Sequence, residues 1–229
     1  MPVLNRVERR SVLTLLAGVT LLCAGGAFAA EAPPAQYVVT YVETPAAQAQ
    51  AVERKLNAYA ATLRAGAAKP SVDVLREVGR PQRIAVIERW QAGDAPADGA
   101  LQRELDGMVQ APIDRRLHRA IGALQIPAPA GAFHMLMHVD VVPAGAEMAN
   151  KLLDGHRAAV MAAKGALAYE FAVQTDRANH FAVHETWASR AAYEAYAASQ
   201  GAQDLRKQLA TVKGALFDDR YYVAAKAPR

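Results

Sequence analysis

Apolar and polar residues alternate along this chain in two recurring periods. The windows RIAVIERW at 83–90 and HFAVHETW at 180–187 run with a period of two and are rich in branched and aromatic residues, as β-strands are. They agree at Ala, Val, Glu and Trp, and they hold the only two tryptophans of the sequence. The agreement continues upstream. YVVTYVETPAAQAQAVERKLNAYAATLRAG and HMLMHVDVVPAGAEMANKLLDGHRAAVMAAKG each read as a strand, a proline that stops it, and an Ala-rich segment of helical spacing. Val52, Leu56, Tyr59 and Leu63 fall on one helical face, as do Met148, Leu152, His156 and Val160. Between helix and tryptophan lies a further strand, SVDVLREV or ALAYEFAV, closed by a turn at Gly79-Arg80-Pro81 or Thr175-Asp176-Arg177.

Downstream, the first copy carries a turn-rich insertion, GDAPADG, and then ALQRELDGMVQAPIDRRLHRAIGAL, which reads as helical and answers AAYEAYAASQGAQDLRKQLATVKGAL of the second. Both segments end in Gly-Ala-Leu, at 122–124 and 214–216. The second copy closes with a clear strand, LFDDRYYVAA, whereas the first runs into PAPAG at 127–131, so its fourth strand is expected to be short or lost. Each unit is therefore strand-helix-strand-strand-helix-strand, the ferredoxin-like order with one antiparallel sheet and helices on one face. A single unit leaves its other sheet face bare, and two units on one chain can cover each other. The expected class is α+β, with two tandem ferredoxin-like units at 36–125 and 132–226, joined by a Pro-rich hinge at 126–131. Packed sheet to sheet, they form an intrachain dimeric α/β-barrel.

Composition alters this picture at the N-terminus. Arg6, Arg9 and Arg10, the apolar run Val12 to Leu22, and Ala27-Phe28-Ala29 read as a secretory signal peptide over 1–29, with periplasmic export expected. Cleavage there removes Cys23, the single cysteine, and with it any thiol nucleophile or thiolate metal site. It also lowers the formal charge of +4, because three arginines and one glutamate leave with the segment. No basic stripe with interleaved aromatics points to nucleic acid, and no later apolar run is long enough for a membrane span.

Residues 134–223 resemble the antibiotic biosynthesis monooxygenase domain of the dimeric α/β-barrel superfamily. The likeness rests on HVDVVPAGAE, on YEFAVQTDRANHFAVHETW and on ASRAAYEAY, in that order; the first copy is a weaker match. The family includes quinol and anthrone oxygenases that use no metal or flavin, and haem-degrading relatives. The resemblance implies a pocket between sheet and helices, lined by Trp187 and by Tyr193 six positions later, with an Arg contributed near Arg206 or Lys207. The family's Asn position falls on Val183, which cannot hydrogen-bond a substrate oxygen, and Tyr196 stands where many relatives have His. The first copy keeps Trp90 but has Pro96 six residues on, so it reads as the structural half.

The implied function is a periplasmic cofactor-independent monooxygenase that takes a small aromatic phenol or quinol and dioxygen, with no metal. His156, on the helix covering the pocket, is the expected general base, with Trp187 and Tyr193 catalytic and Tyr196, Arg206, Lys207 and Val183 contacting substrate. The rival is a non-catalytic small-ligand-binding or structural protein; a third reading is haem binding through His156. Glu88 and Glu185 share a strand face with the tryptophans and read as salt-bridged rim residues or as raised-pKa bases. His134, His138, His180 and His184 point the other way, and His138 and His184 are expected to meet on the inter-unit side; the first copy has Thr40 and Ile87 at the matching places, so nothing there repeats the pair. The chain is expected to be a monomeric pseudo-dimer or a higher homo-oligomer.

Overall fold

The structure, a computed structural model, describes residues 35–91, 95, 99–121 and 128–225. The signal-peptide reading with Cys23, the insertion residue Pro96, the Gly-Ala-Leu at 122–124 and the start of the hinge lie outside the described residues.

Eight strands close into one antiparallel barrel. The first half contributes β1 (Gln36–Glu43), β2 (Ser71–Glu77), β3 (Arg83–Trp90) and β4 (Asp114–Ile121), with helices α1 (Ala49–Ala65) and α2 (Ala100–Glu104). The second contributes β5 (Phe133–Asp140), β6 (Ala166–Gln174), β7 (Arg177–Trp187) and β8 (Asp218–Ala224), with α3 (Ala146–Ala162), α4 (Arg190–Ala197) and α5 (Gln200–Ala210). Around the barrel the order is β1-β3-β2-β8-β5-β7-β6-β4. Each half is the expected ferredoxin-like sheet, with its first and third strands central. The halves face each other across the barrel interior, and they also join edge to edge, β2 with β8 and β4 with β6. That second joint leaves no open sheet edge.

The repeat is seen in the register. Gln36 pairs with Trp90 and Phe133 with Trp187, and α1 and α3 each span 17 residues. Inward and outward residues alternate on every central strand. Outward residues pack under the helices in two clusters, one around Val42, Val52, Leu56, Ile84 and Val86, the other around Met137, Leu153, Tyr169, Phe171, Val183 and Trp187. Inward residues form a third cluster, with Tyr37, Val39, Ile87, Leu136 and Tyr222. Fully burying a Leu such as Leu56 or Leu153 contributes roughly 1.5–3 kcal/mol, so each helix is held mainly by its inner face.

Two expectations need correction. The segment 100–124 is not one helix: helix stops at Glu104, and 114–121 is the strand β4. Pro112 cannot donate to a helical ladder, and beyond it Ile113, Arg115 and Leu117 fall on one strand face, Arg116 and His118 on the other. The barrel needs this strand to meet β6. On α3 the buried positions are Ala149, Leu153 and Val160, while Met148 is half exposed, so the inner face lies one residue away from the expected stripe at Met148 and Leu152.

Candidate functional site

In the second half, β7 aims Val183, Glu185 and Trp187 at the helices. The side chains of α3, α4 and α5 close over them. Ser189 and Ser199 start α4 and α5 by accepting the amide hydrogens of Ala192 and Ala202, which places Tyr193 and Tyr196 above the sheet. The Trp187 indole N–H donates to Glu185 Oε2 at 3.0 Å. The Tyr196 hydroxyl meets His156 Nε2 at 2.7 Å, and its ring lies 5.1 Å from that of Trp187. Glu185 is buried and has no ion-pair partner among the described residues; burial raises its carboxyl to about 7, against the pull of the Trp187 bond. Burial also lowers His156, so its imidazole is neutral at pH 7.

These groups surround little space. The cleft among His156, Glu185, Tyr193, Tyr196 and Arg206 holds about 30 Å³, because the two tyrosine rings occupy it. Of the expected site residues, His156, Trp187, Tyr193 and Tyr196 come together. Arg206 reaches the rim but donates to Asp219 at 2.7 Å. Lys207 points to solvent with its side chain 71% exposed and does not line the cleft. Val183 is core, packed in the helix-facing cluster. With His156 Nε2 taken by Tyr196 and so little room before it, these residues do not fit a haem.

The first half repeats the strand pattern with different chemistry. Glu88 matches Glu185, and Trp90 Nε1 donates to it at 2.9 Å. Here the carboxylate is fully buried and Arg115 of β4 grips it with two bonds, 2.5 and 3.1 Å, while the Tyr59 hydroxyl donates to Oε1 at 3.3 Å. Tyr59 stands where α3 has His156. Burial and the neighbouring Glu88 push the Tyr59 phenol up to about 12. Of the two readings the sequence allowed, Glu88 is salt-bridged, though buried and not at a rim, and Glu185 is the carboxyl raised by burial.

The inward histidines form a separate group. His184 Nδ1 lies 3.0 Å from Glu170 Oε2 and 3.0 Å from the Tyr37 hydroxyl. A carboxylate only accepts, so Nδ1 carries a proton toward Glu170, and Nε2 meets His134 Nδ1 at 3.0 Å. Arg89 of the first half clamps Glu170 with two 2.6 Å bonds and reaches Asp73 at 2.7 Å. Burial would raise Glu170, but Arg89 and His184 outweigh it and hold the carboxyl at about 2. The expected pairing is thus corrected: His184 meets His134, because the strand register sets it opposite Leu136. His138 instead bonds Tyr41, its true counterpart in the first half in place of Thr40, and stacks on His118. Among the described residues no group of three or more His, Cys, Asp or Glu is placed to hold a metal ion.

Comparison with known proteins agrees with this architecture. Residues 132–208 match the family model described as antibiotic biosynthesis monooxygenase. A candidate monooxygenase from Fusobacterium nucleatum superposes with a TM-score of 0.72 at 9% identity, over 85% of this chain and 94% of that one. A second, from Lactobacillus acidophilus, gives 0.65 at 12% identity, over 83% and 94%. An anthrone oxidase-like protein gives 0.63 at 14% identity, over 84% and 92%. At these identities the likeness is one of fold, and it spans both halves. No curated protein matches the chain in sequence.

Proposed function

With residues 132–208 forming an antibiotic biosynthesis monooxygenase domain, we propose that the protein is an exported, cofactor-independent monooxygenase acting on an electron-rich phenol or quinol. The observation that carries this reading is Glu185: a buried carboxyl at about 7, held by the Trp187 indole, in one cleft with a neutral His156 and Tyr196. A base near neutrality takes a phenolic proton at working pH without being swamped by solvent. The base role passes from His156 to Glu185, because His156 Nε2 is already paired with the Tyr196 hydroxyl. His156 and Tyr196 then orient the substrate oxygen, and Tyr193 and Trp187 form the walls.

The reaction balances without a cofactor. A hydroquinone gives up four electrons and dioxygen takes them; one oxygen atom becomes a ring hydroxyl or carbonyl and the other leaves as water. The protein's part is to make the anion, hold it beside dioxygen and exclude bulk water. A ring enters only if the Tyr193 and Tyr196 side chains swing out with α4.

Oxygen uptake with a panel of hydroquinones and dihydroxynaphthalenes tests this. We expect turnover that rises through about pH 7 and falls about a hundredfold or more in Glu185→Gln. Trp187→Phe should cut turnover and move the pH profile upward, because the indole N–H favours the charged carboxyl; Trp90→Phe should leave both unchanged. Absence of uptake with every substrate sinks the oxygenase reading. The closed 30 Å³ cleft favours the structural side of the second reading, a non-catalytic small-ligand-binding or structural protein, which that result would leave in place.

A further inference from the structure

The half that reads as structural contains the larger chamber. Between α1, α2 and the outer face of the first sheet lies a cavity of about 550 Å³, lined among others by Tyr59, Leu63, Leu101, Glu104, Ile113 and Arg115. Its origin is visible in the repeat. Over the second sheet, α4 and α5 span 8 and 11 residues and send Tyr193 and Tyr196 into the corresponding space. Over the first, α2 has five residues, and Ile113 and Arg115 come from the strand that follows it. Volume that two tyrosine rings fill in one half stays open in the other.

We infer that this first-half cavity is a second, non-catalytic binding site for a neutral, largely apolar molecule that carries a hydroxyl group. The size is that of a small-molecule site, and the wall is largely apolar through Leu63, Leu101 and Ile113. The polar groups discriminate. The Tyr59 hydroxyl spends its proton on Glu88, so toward the cavity it accepts, and the Glu104 carboxylate beside it also accepts. Two acceptors on an apolar wall suit a ligand that donates O–H groups, and the Glu104 carboxylate disfavours a carboxylate or phosphate, since the Arg115 guanidinium in the same wall is engaged by Glu88. Binding without turnover follows from Glu88. Its two oxygens are already engaged by Tyr59, Trp90 and both arms of Arg115, and it is not among the residues that line the cavity. The inference does not depend on any reaction in the second half.

The two tryptophans make a direct test. Each contributes one indole N–H resonance, assigned by Trp90→Phe and Trp187→Phe, and Trp90 donates to the Glu88 carboxylate that Tyr59 and Arg115 share. The protein is titrated with 2-naphthol, a ligand of the stated class. We expect a saturable shift of the Trp90 signal. Tyr59→Phe should weaken it roughly threefold to tenfold through the lost hydroxyl. Leu63→Phe, which adds volume toward the cavity, should weaken it more than about tenfold. A Trp90 signal that stays fixed, whether Trp187 moves or not, overturns the proposal, as does a Trp90 shift that neither substitution weakens while both variants keep the parent spectrum. Benzoate, with the ring but an anionic head, should leave Trp90 unmoved; saturable binding of it would overturn the stated ligand class. Oxygen uptake plays no part in the readout, so failure of the oxygenase reading and failure of this site are told apart.

Discussion

Glu185 is the residue at which stability and chemistry pull against each other. Its carboxyl titrates at about 7 in the fold and near 4.5 when exposed. Between those values the folded state holds a proton that the unfolded state has released, so the stability this residue contributes is highest below 4.5 and falls as pH rises through 7. The loss reaches roughly 3 kcal/mol, at about 1.4 kcal/mol for each tenfold change in proton affinity. Glu185→Gln removes that loss. Denaturant unfolding should show the variant more stable than the parent at pH 8 and near parity at pH 4.5; parity at both values would mean that the buried carboxyl is solvated in solution. Glu88, the same residue in the same frame, is instead gripped by Arg115. One strand motif thus carries a candidate base in one half and a structural ion pair in the other.

At the scale of elements, α4 decides whether the second cleft is open. It is a helix of eight residues, capped by Ser189 and held by the Tyr196–His156 bond and by the longer Tyr193–Tyr221 bond of 3.4 Å. Its base rests on Gly165, which adopts φ +88° and leaves no room for a side chain: an added Cβ would sit 2.7 Å from Ala192 Cβ. Gly165→Ala therefore strains the turn and pushes α4 outward, at a cost of about 1–3 kcal/mol. We expect a lower melting temperature and faster amide exchange confined to α4. If Tyr193 and Tyr196 are the barrier to a ring, KM for a productive quinol should fall in the same variant. Unchanged exchange in α4 would show that the contact does not hold the helix down.

The whole molecule is closed by an interior that is more polar than its outer layers. Arg89 ties the halves together across the barrel, and removing it takes the guanidinium from half-buried Asp73 and buried Glu170. Arg89→Met should cost roughly 3–5 kcal/mol in chemical denaturation. Burial holds His134 and His138 at about 3 and His118 at about 4, so all three are neutral in the fold. Unfolded histidines take up protons below about 6.5, so the stability these residues contribute is present above that value and declines as pH falls. By pH 4.5 the loss is roughly 2.5 kcal/mol for each, and three together approach the 5–15 kcal/mol that holds a typical domain. Circular dichroism should therefore show acid unfolding above pH 4. Replacing His118 and His138 by Asn should shift the midpoint to lower pH relative to the stability of that variant at pH 7.

The tandem order was legible in the sequence because it rests on local periods: alternation on the strands, helical spacing after Pro45 and Pro143, and a tryptophan at the same place in each frame. Those signals survive in any environment the strands are packed into. The gathering of His156, Trp187, Tyr193 and Tyr196 was legible for the same reason, since each sits at a set place in the repeated unit. The strand β4 was obscured by an Ala-, Arg- and Leu-rich run that reads equally as helix, and only the need to pair with β1 and β6 decides it. The partner of each inward histidine depends on a register that one residue reverses. Above all, where empty volume lies is set by the rings that reach across from neighbouring helices, and no pattern along the chain records that. Tertiary packing alone put the open chamber in the first half and filled the cleft of the second.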